Sequence, residues 1–276
     1  MPTALLHDIE AYYEIHGHGE PLVLLHGLGS SGRDWARQMR VFGDRYRLIT
    51  PDLRGCGRTA KPPGPYTIQR YADDLDTLLD RLDVPSAHLL GYSLGGAVAL
   101  QFANDYSARV RSLIVLNCQP CCVPNDWRVV LDLYLRLGAT RCLGVRAAGR
   151  LIARRLLPRA DQAELRATLA EQYAANDKRA YLAALDALVD WSMDRWAHAI
   201  AAPTLIIAPE RPAPPGAEHA AVPRGMSNAS LRLVADPWQC TPFDQSGTFN
   251  RLVLEFLDSM RRPRKPGAQK KESPAG

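Results

Sequence analysis

Gly91-Tyr92-Ser93-Leu94-Gly95-Gly96 constrains the fold of this chain more than any other stretch. Before it, Ala87, His88, Leu89 and Leu90 read as a short apolar strand. After it, Leu94 to Tyr106 read as a helix. A chain that changes from strand to helix in so few residues makes a sharp turn, with Ser93 at its tip. Gly91 and Gly95 stand where strand and helix approach closely, and glycine removes the Cβ from that contact. The turn lifts the Ser93 hydroxyl off the sheet edge. It also aims the backbone N–H of Leu94 at any negative oxygen formed on a carbonyl that the serine attacks.

The flanking sequence supplies the rest of an alternating fold. Ala11 to His16 reads as a strand within the charged N-terminal stretch. Leu22 to Leu25 form a continuous apolar run between Pro21 and Gly27, as expected of a strand buried on both faces. Tyr46 to Thr50 and Val110 to Leu116 are further strands, and Ile68, Tyr71, Leu75, Leu78, Leu79 and Leu82 recur at helical spacing. Such alternation predicts an α/β fold: an open, mostly parallel sheet with helices on both faces.

The alternation stops at about residue 120. Helical segments run from Trp127 to Leu137, Val145 to Leu156, Gln162 to Ala175 and Tyr181 to Asp190. It resumes with strands at Thr204 to Ala208 and Leu231 to Val234 and a helix from Phe249 to Met260. The expected organisation is a core of residues 1–119 and 199–260, a helical lid over 120–198 and a basic tail over 261–276. Ligands of such sheets bind at the carboxyl ends of the strands, so an insertion leaving that edge covers the site. Trp127, Tyr134, Tyr173, Tyr181, Trp191 and Trp196 are candidates either to line an apolar pocket there or to pack the insertion on the core.

Two more segments belong to the same edge. His26-Gly27-Leu28-Gly29 follows the first buried strand, and the Leu28 N–H is the natural second donor to an oxyanion. Pro51-Asp52-Leu53-Arg54-Gly55-Cys56-Gly57-Arg58 follows the next strand and reads as structural. With the nucleophile elbow around Ser93, these segments resemble the α/β-hydrolase superfamily, and in particular its lid-bearing esterases, thioesterases, lactonases and carbon–carbon bond hydrolases. The resemblance covers about Leu5 to Met260. It implies a serine nucleophile at Ser93, with backbone N–H groups of Leu28 and Leu94 holding the oxyanion.

It also implies a catalytic acid and a histidine, and here the sequence departs from the family. The acid belongs after the strand Thr204 to Ala208, where Pro212 stands in its place, with Glu210 two positions early as an alternative acid. The histidine belongs about ten residues before Phe249-Asn250, where Gln239 stands. A glutamine amide has no basic nitrogen to take the serine proton. The alternative acid position, after the preceding strand, is Asn117, which is neutral. Of the seven histidines, His26 is structural in the family, His88 lies in a buried strand, and His219 remains as an alternative base.

Composition excludes several other classes. The formal charge is +5, but residues after 260 hold six Lys and Arg against one Glu, so the body carries no net charge and no basic face for nucleic acid is expected on it. That tail is rich in Pro, Lys, Gly and Ser and is expected to be disordered. The six cysteines lack a disulfide pattern, and Cys118, Cys121 and Cys122 have no second pair or neighbouring His to complete a zinc site. No leader and no membrane span are expected, and a cytoplasmic setting follows. No cofactor or metal is expected, and the oligomeric state is left open.

Two functions fit this sequence. One is catalysis on an acyl ester, thioester or related small carbonyl compound through Ser93, with weak conventional hydrolysis. The other is a non-catalytic relative whose pocket binds a small apolar ligand or a partner protein.

Overall fold

The structure is a computed structural model, and it describes residues 2–118, 127–193, 196–210, 225–235 and 241–261. Its centre is an eight-stranded sheet: β1 (Thr3–Leu6), β2 (Ile9–His16), β3 (Glu20–Leu25), β4 (Tyr46–Pro51), β5 (Ala87–Tyr92), β6 (Val110–Leu116), β7 (Thr204–Pro209) and β8 (Ala229–Val234). The spatial order is β1-β2-β4-β3-β5-β6-β7-β8. β2 pairs antiparallel with β1 and with β4, and the remaining pairs are parallel. This is the mostly parallel sheet expected from the alternation.

Successive residues of β3 show why its run Leu22 to Leu25 is apolar throughout. Val23 and Leu25 join one buried cluster with α2 (Ile68–Arg81) and α3 (Leu94–Asp105). Leu22 and Leu24 join another on the opposite face, with Phe42 of α1 (Ala36–Gly43) and Phe249, Val253 and Leu257 of α8 (Ser246–Arg261). Both faces are therefore covered, and alternation of polarity along the central strands has no solvent to serve. The short α7 (Thr241–Asp244) precedes α8.

Between β6 and β7 lie α4 (Trp127–Leu156), α5 (Ala163–Ala174) and α6 (Lys178–Val189). The two helices expected within α4 meet at Gly144, whose φ of 79° and ψ of 163° interrupt the helix. Asp132 bridges the break by accepting from Arg136 and from Arg155.

Two expectations need correction. The expected strand Ala11 to His16 lies within β2, but the N-terminal stretch holds a second strand, β1, before a turn at His7 with φ 43°. Arg261, assigned to the tail, is the last residue of α8. Its guanidinium pairs with Glu20 at 3.1 Å and lies 4.6 Å above the Tyr46 ring, and those contacts extend the helix by a residue. Residues 262–276 lie outside the described residues.

Candidate active site

β5 ends at Tyr92 and α3 begins at Leu94, so Ser93 alone makes the turn, at φ 52° and ψ −109°. That backbone is unfavourable for a residue with a side chain, and its neighbours hold it there. The Ser93 N–H donates to the Leu116 carbonyl at 2.9 Å, and the Gly95 N–H donates to the His26 carbonyl at 3.1 Å. The glycines are sterically required. A Cβ on Gly91 would stand 2.2 Å from the Gly95 carbonyl oxygen, and one on Gly95 would stand 2.3 Å from that of Leu25.

The Gly95 bond brings the loop His26–Gly29 against the turn. His26 is fully buried and both its nitrogens are used. Nε2 accepts the Leu53 N–H at 2.9 Å, so Nδ1 carries the proton and donates to the Gly27 carbonyl at 2.8 Å. Burial also pushes its pKa down, which keeps the ring neutral. The sequence reading of His26 as structural agrees with this geometry.

Sequence reasoning missed Asp34. This carboxyl is buried, accepts the Ser30 hydroxyl and feels the nearby Gly27 N–H, which places it against the loop that carries Leu28. Burial raises its pKa to about 7, with Asp52 adding to the rise and the two donors opposing it. Asp52 in turn takes the Gly32 and Arg58 N–H groups, each at 2.8 Å. Nothing in the sequence distinguishes these aspartates from surface ones.

The insertion reaches this loop directly. Asn176 donates its side-chain amide to the Gly29 carbonyl at 2.8 Å, and the rings of Tyr173 and Tyr181 close over Gly29. Trp191 donates its indole N–H to Gln101 of α3 at 2.9 Å and lies beside Trp196. Four of the six aromatics named from sequence thus pack the insertion on the core. Trp127 and Tyr134 do not: they are 63% and 54% exposed on the outer side of α4, because the helix turns its Asp132 and Leu137 face inward. A cleft of about 540 Å³ opens beside the loop, lined by Ser30, Arg33, Arg58, Lys61, Gln172 and Asn176; Ser93 is not among its lining residues.

The remaining site candidates are dispersed. Glu210 is exposed just after β7, and its N–H is bonded to the Val234 carbonyl at 2.9 Å. Pro212, His219 and Gln239 lie outside the described residues. His88 bonds Ser112 at 2.8 Å within the sheet, and burial holds its pKa down to about 4. Asn117 is buried at the end of β6 with φ 50°. Cys118 is buried beneath Gly96, and among the described residues no cluster of three or more His, Cys, Asp or Glu is placed to hold a metal. Among them, too, no helix is long and apolar enough to cross a membrane.

Sheet order, turn and insertion together define an α/β-hydrolase, and the family model for the alpha/beta hydrolase fold matches residues 20–211: the chain belongs to that family. An Azorhizobium caulinodans protein named "Putative carbamate hydrolase RutD" is 37% identical over 117 residues, 42% of this chain and 44% of that protein. The match thus spans under half the length of this relative. A protein of the same name from Variovorax paradoxus is 31% identical over 272 residues, 92% of this chain and 98% of its own. Among solved structures, the enol-lactonase from Burkholderia xenovorans LB400 superposes with a TM-score of 0.80 at 22% identity, covering 93% of this chain and all of that one. At that identity the likeness is one of fold.

Proposed function

We propose that this α/β-hydrolase acts on an acyl ester, thioester or related small carbonyl substrate through Ser93, with weak conventional hydrolysis. The observation that carries the reading is the backbone of Ser93 itself, strained at φ 52° between β5 and α3 and held by bonds to Leu116 and, through Gly95, to His26. Strain of this kind persists where the surroundings over-determine it, and it clusters at functional sites.

In this mechanism the Ser93 oxygen adds to the carbonyl carbon, and the N–H groups of Leu94 and Leu28 take the developing oxyanion. Collapse expels the leaving group, and water later releases the acyl group. The hydroxyl proton needs an acceptor. With Gln239 and Pro212 at the family's base and acid positions, the substrate or water takes it, and turnover is slow. Glu210 and His219 are the alternative acid and base. The helical insertion serves as a lid, a role supported by the Asn176 bond to Gly29. Relatives named for carbamate hydrolysis and a fold neighbour named enol-lactonase are consistent with a carbonyl substrate. The cytoplasm remains the proposed setting.

A second reading, in which the pocket binds a ligand without turnover, is favoured by one observation: His26 and His88 are both committed to structural hydrogen bonds. Incubation with a fluorophosphonate probe followed by intact mass separates the two. Catalysis predicts slow stoichiometric labelling that Ser93→Ala abolishes. No labelling of the parent after long incubation supports the binding reading instead.

A further inference from the structure

The outer side of α4 is the most apolar exposed surface among the described residues. Trp127, Val130, Leu131, Tyr134 and Leu135 fall at i, i+3, i+4, i+7 and i+8, which is one side of a helix, and all are exposed. Leu143, just before the Gly144 break, and Leu151, beyond it, are exposed as well. A grouping of this kind on a single element marks an interaction surface, whereas scattered apolar residues do not.

The charges on the same element say what the surface meets. Arg128 lies 4.8 Å above the Trp127 ring. Beyond the Gly144 break, Arg146, Arg150 and Arg154 recur at four-residue spacing, all exposed, and among the described residues they form no ion pair. Arg141 has a weak exposed partner in Asp186 at 3.5 Å. The acidic residue of α4, Asp132, is buried under Arg136 and Arg155 and leaves the outer side without negative charge. An apolar stripe containing Trp and Tyr and flanked by arginines is the pattern of a helix lying in a lipid headgroup layer. A second copy of the chain fits less well, because a self-complementary contact would bring the unpaired arginine row close to its own copy.

We propose that the outer face of α4 docks the protein peripherally on an anionic lipid bilayer, with the apolar stripe in the headgroup layer and the arginine row against anionic lipids.

The test is sedimentation of the full chain with vesicles of phosphatidylcholine alone and of phosphatidylcholine mixed with phosphatidylserine. The parent should bind the mixed vesicles, and less as salt rises. Arg146→Gln/Arg150→Gln/Arg154→Gln should weaken binding about a hundredfold, at roughly fivefold per arginine. Trp127→Ser/Leu131→Ser/Leu135→Ser should weaken it at least about tenfold, and both variants should keep the parent's melting temperature because the altered side chains are exposed. Absence of binding by the parent overturns the proposal. So does binding that survives in both variants, which would assign it to the basic C-terminal stretch. A parent dimer that the serine variant converts to monomer overturns it as well, since the face would then join two copies.

Discussion

His26 accepts the backbone N–H of Leu53 through Nε2 at 2.9 Å, and this bond ties the loop carrying Leu28 to the loop after β4. The imidazole on the loop bonded to the serine turn is therefore a cross-brace. Replacing it by Phe, of similar volume, leaves the Leu53 N–H and the Gly27 carbonyl buried without it. Each such orphan costs about 1–3 kcal/mol, so the melting temperature should fall by at least about 4 °C at roughly 2–4 °C per kcal/mol. An unchanged melt by circular dichroism would remove His26 from this role.

The glycines of the serine turn should tolerate nothing larger. Gly91→Ala and Gly95→Ala each drive a Cβ into backbone carbonyl oxygen, at 2.2 and 2.3 Å. Both variants should lose soluble yield, or melt more than about 10 °C lower. Gly138→Ala is the contrast: its Cβ meets nothing within 4 Å on a helix. It should hold or raise stability by up to ~1 kcal/mol.

Asp34 gives stability a pH dependence of known sign. With its pKa raised to about 7 by burial, the folded chain keeps a proton that the unfolded chain releases near pH ~4. Its contribution is fully present below that unfolded value and is lost as pH rises through 7. His88 works oppositely: depressed to about 4, it contributes stability above its ordinary value near ~6.5, which is lost as pH falls through 4. The two partly cancel in the parent. Asp34→Asn should isolate the first, its melting temperature gaining on the parent's from about pH 4 to pH 7 and levelling above that. A constant difference across that range would mean that Asp34 does not titrate there.

Arg54 is buried and holds Asp74 through two bonds of 2.7 and 2.8 Å, with Asp8 as a further partner at the surface. Arg54→Met leaves Asp74 without its buried partner and should cost about 3–5 kcal/mol in urea denaturation. Arg54→Met/Asp74→Leu should recover part of that loss. A double variant as weak as the sum of the singles would show that the two side chains are not coupled.

Supplying the family's missing groups should raise esterase activity. Gln239→His/Pro212→Asp should hydrolyse a short aryl ester ~10²–10⁴-fold faster than the parent, with Ser93→Ala on that background abolishing the gain. Gln239→His alone should gain less, because nothing orients the imidazole. A folded double variant that is no faster than the parent, although its Ser93 still takes up a fluorophosphonate, would show that these positions do not face the serine.

Much of this architecture is legible in the sequence because it rests on local rules. β3 is visible as an apolar run because both its faces are buried, and the turn at Ser93 is visible because glycine is sterically forced on either side. α1 is not visible: it carries Arg37, Gln38 and Arg40, and Gln38 is buried only because distant Asn250 and the Pro242 carbonyl accept from it, at 3.1 and 3.2 Å. The turn at His7 lacks the glycine that usually announces one. At the site, the identities of Trp127 and Tyr134 are readable but their outward direction is not, since it depends on which side of α4 carries Asp132. The burial of Asp34 is likewise a property of the assembled loops.

Gly29 sits at φ 74°, where a Cβ would stand 2.9 Å from the rings of both Tyr173 and Tyr181. Those two tyrosines come from different helices of the insertion, and they lie edge to face with centroids 6.0 Å apart. The absent side chain is thus a socket shared by two positions far downstream in the chain. Across the family, then, position 29 should not drift alone. A relative with a side chain there should carry a smaller residue in place of one tyrosine, so that correlated substitution between loop and insertion records how closely the two are seated.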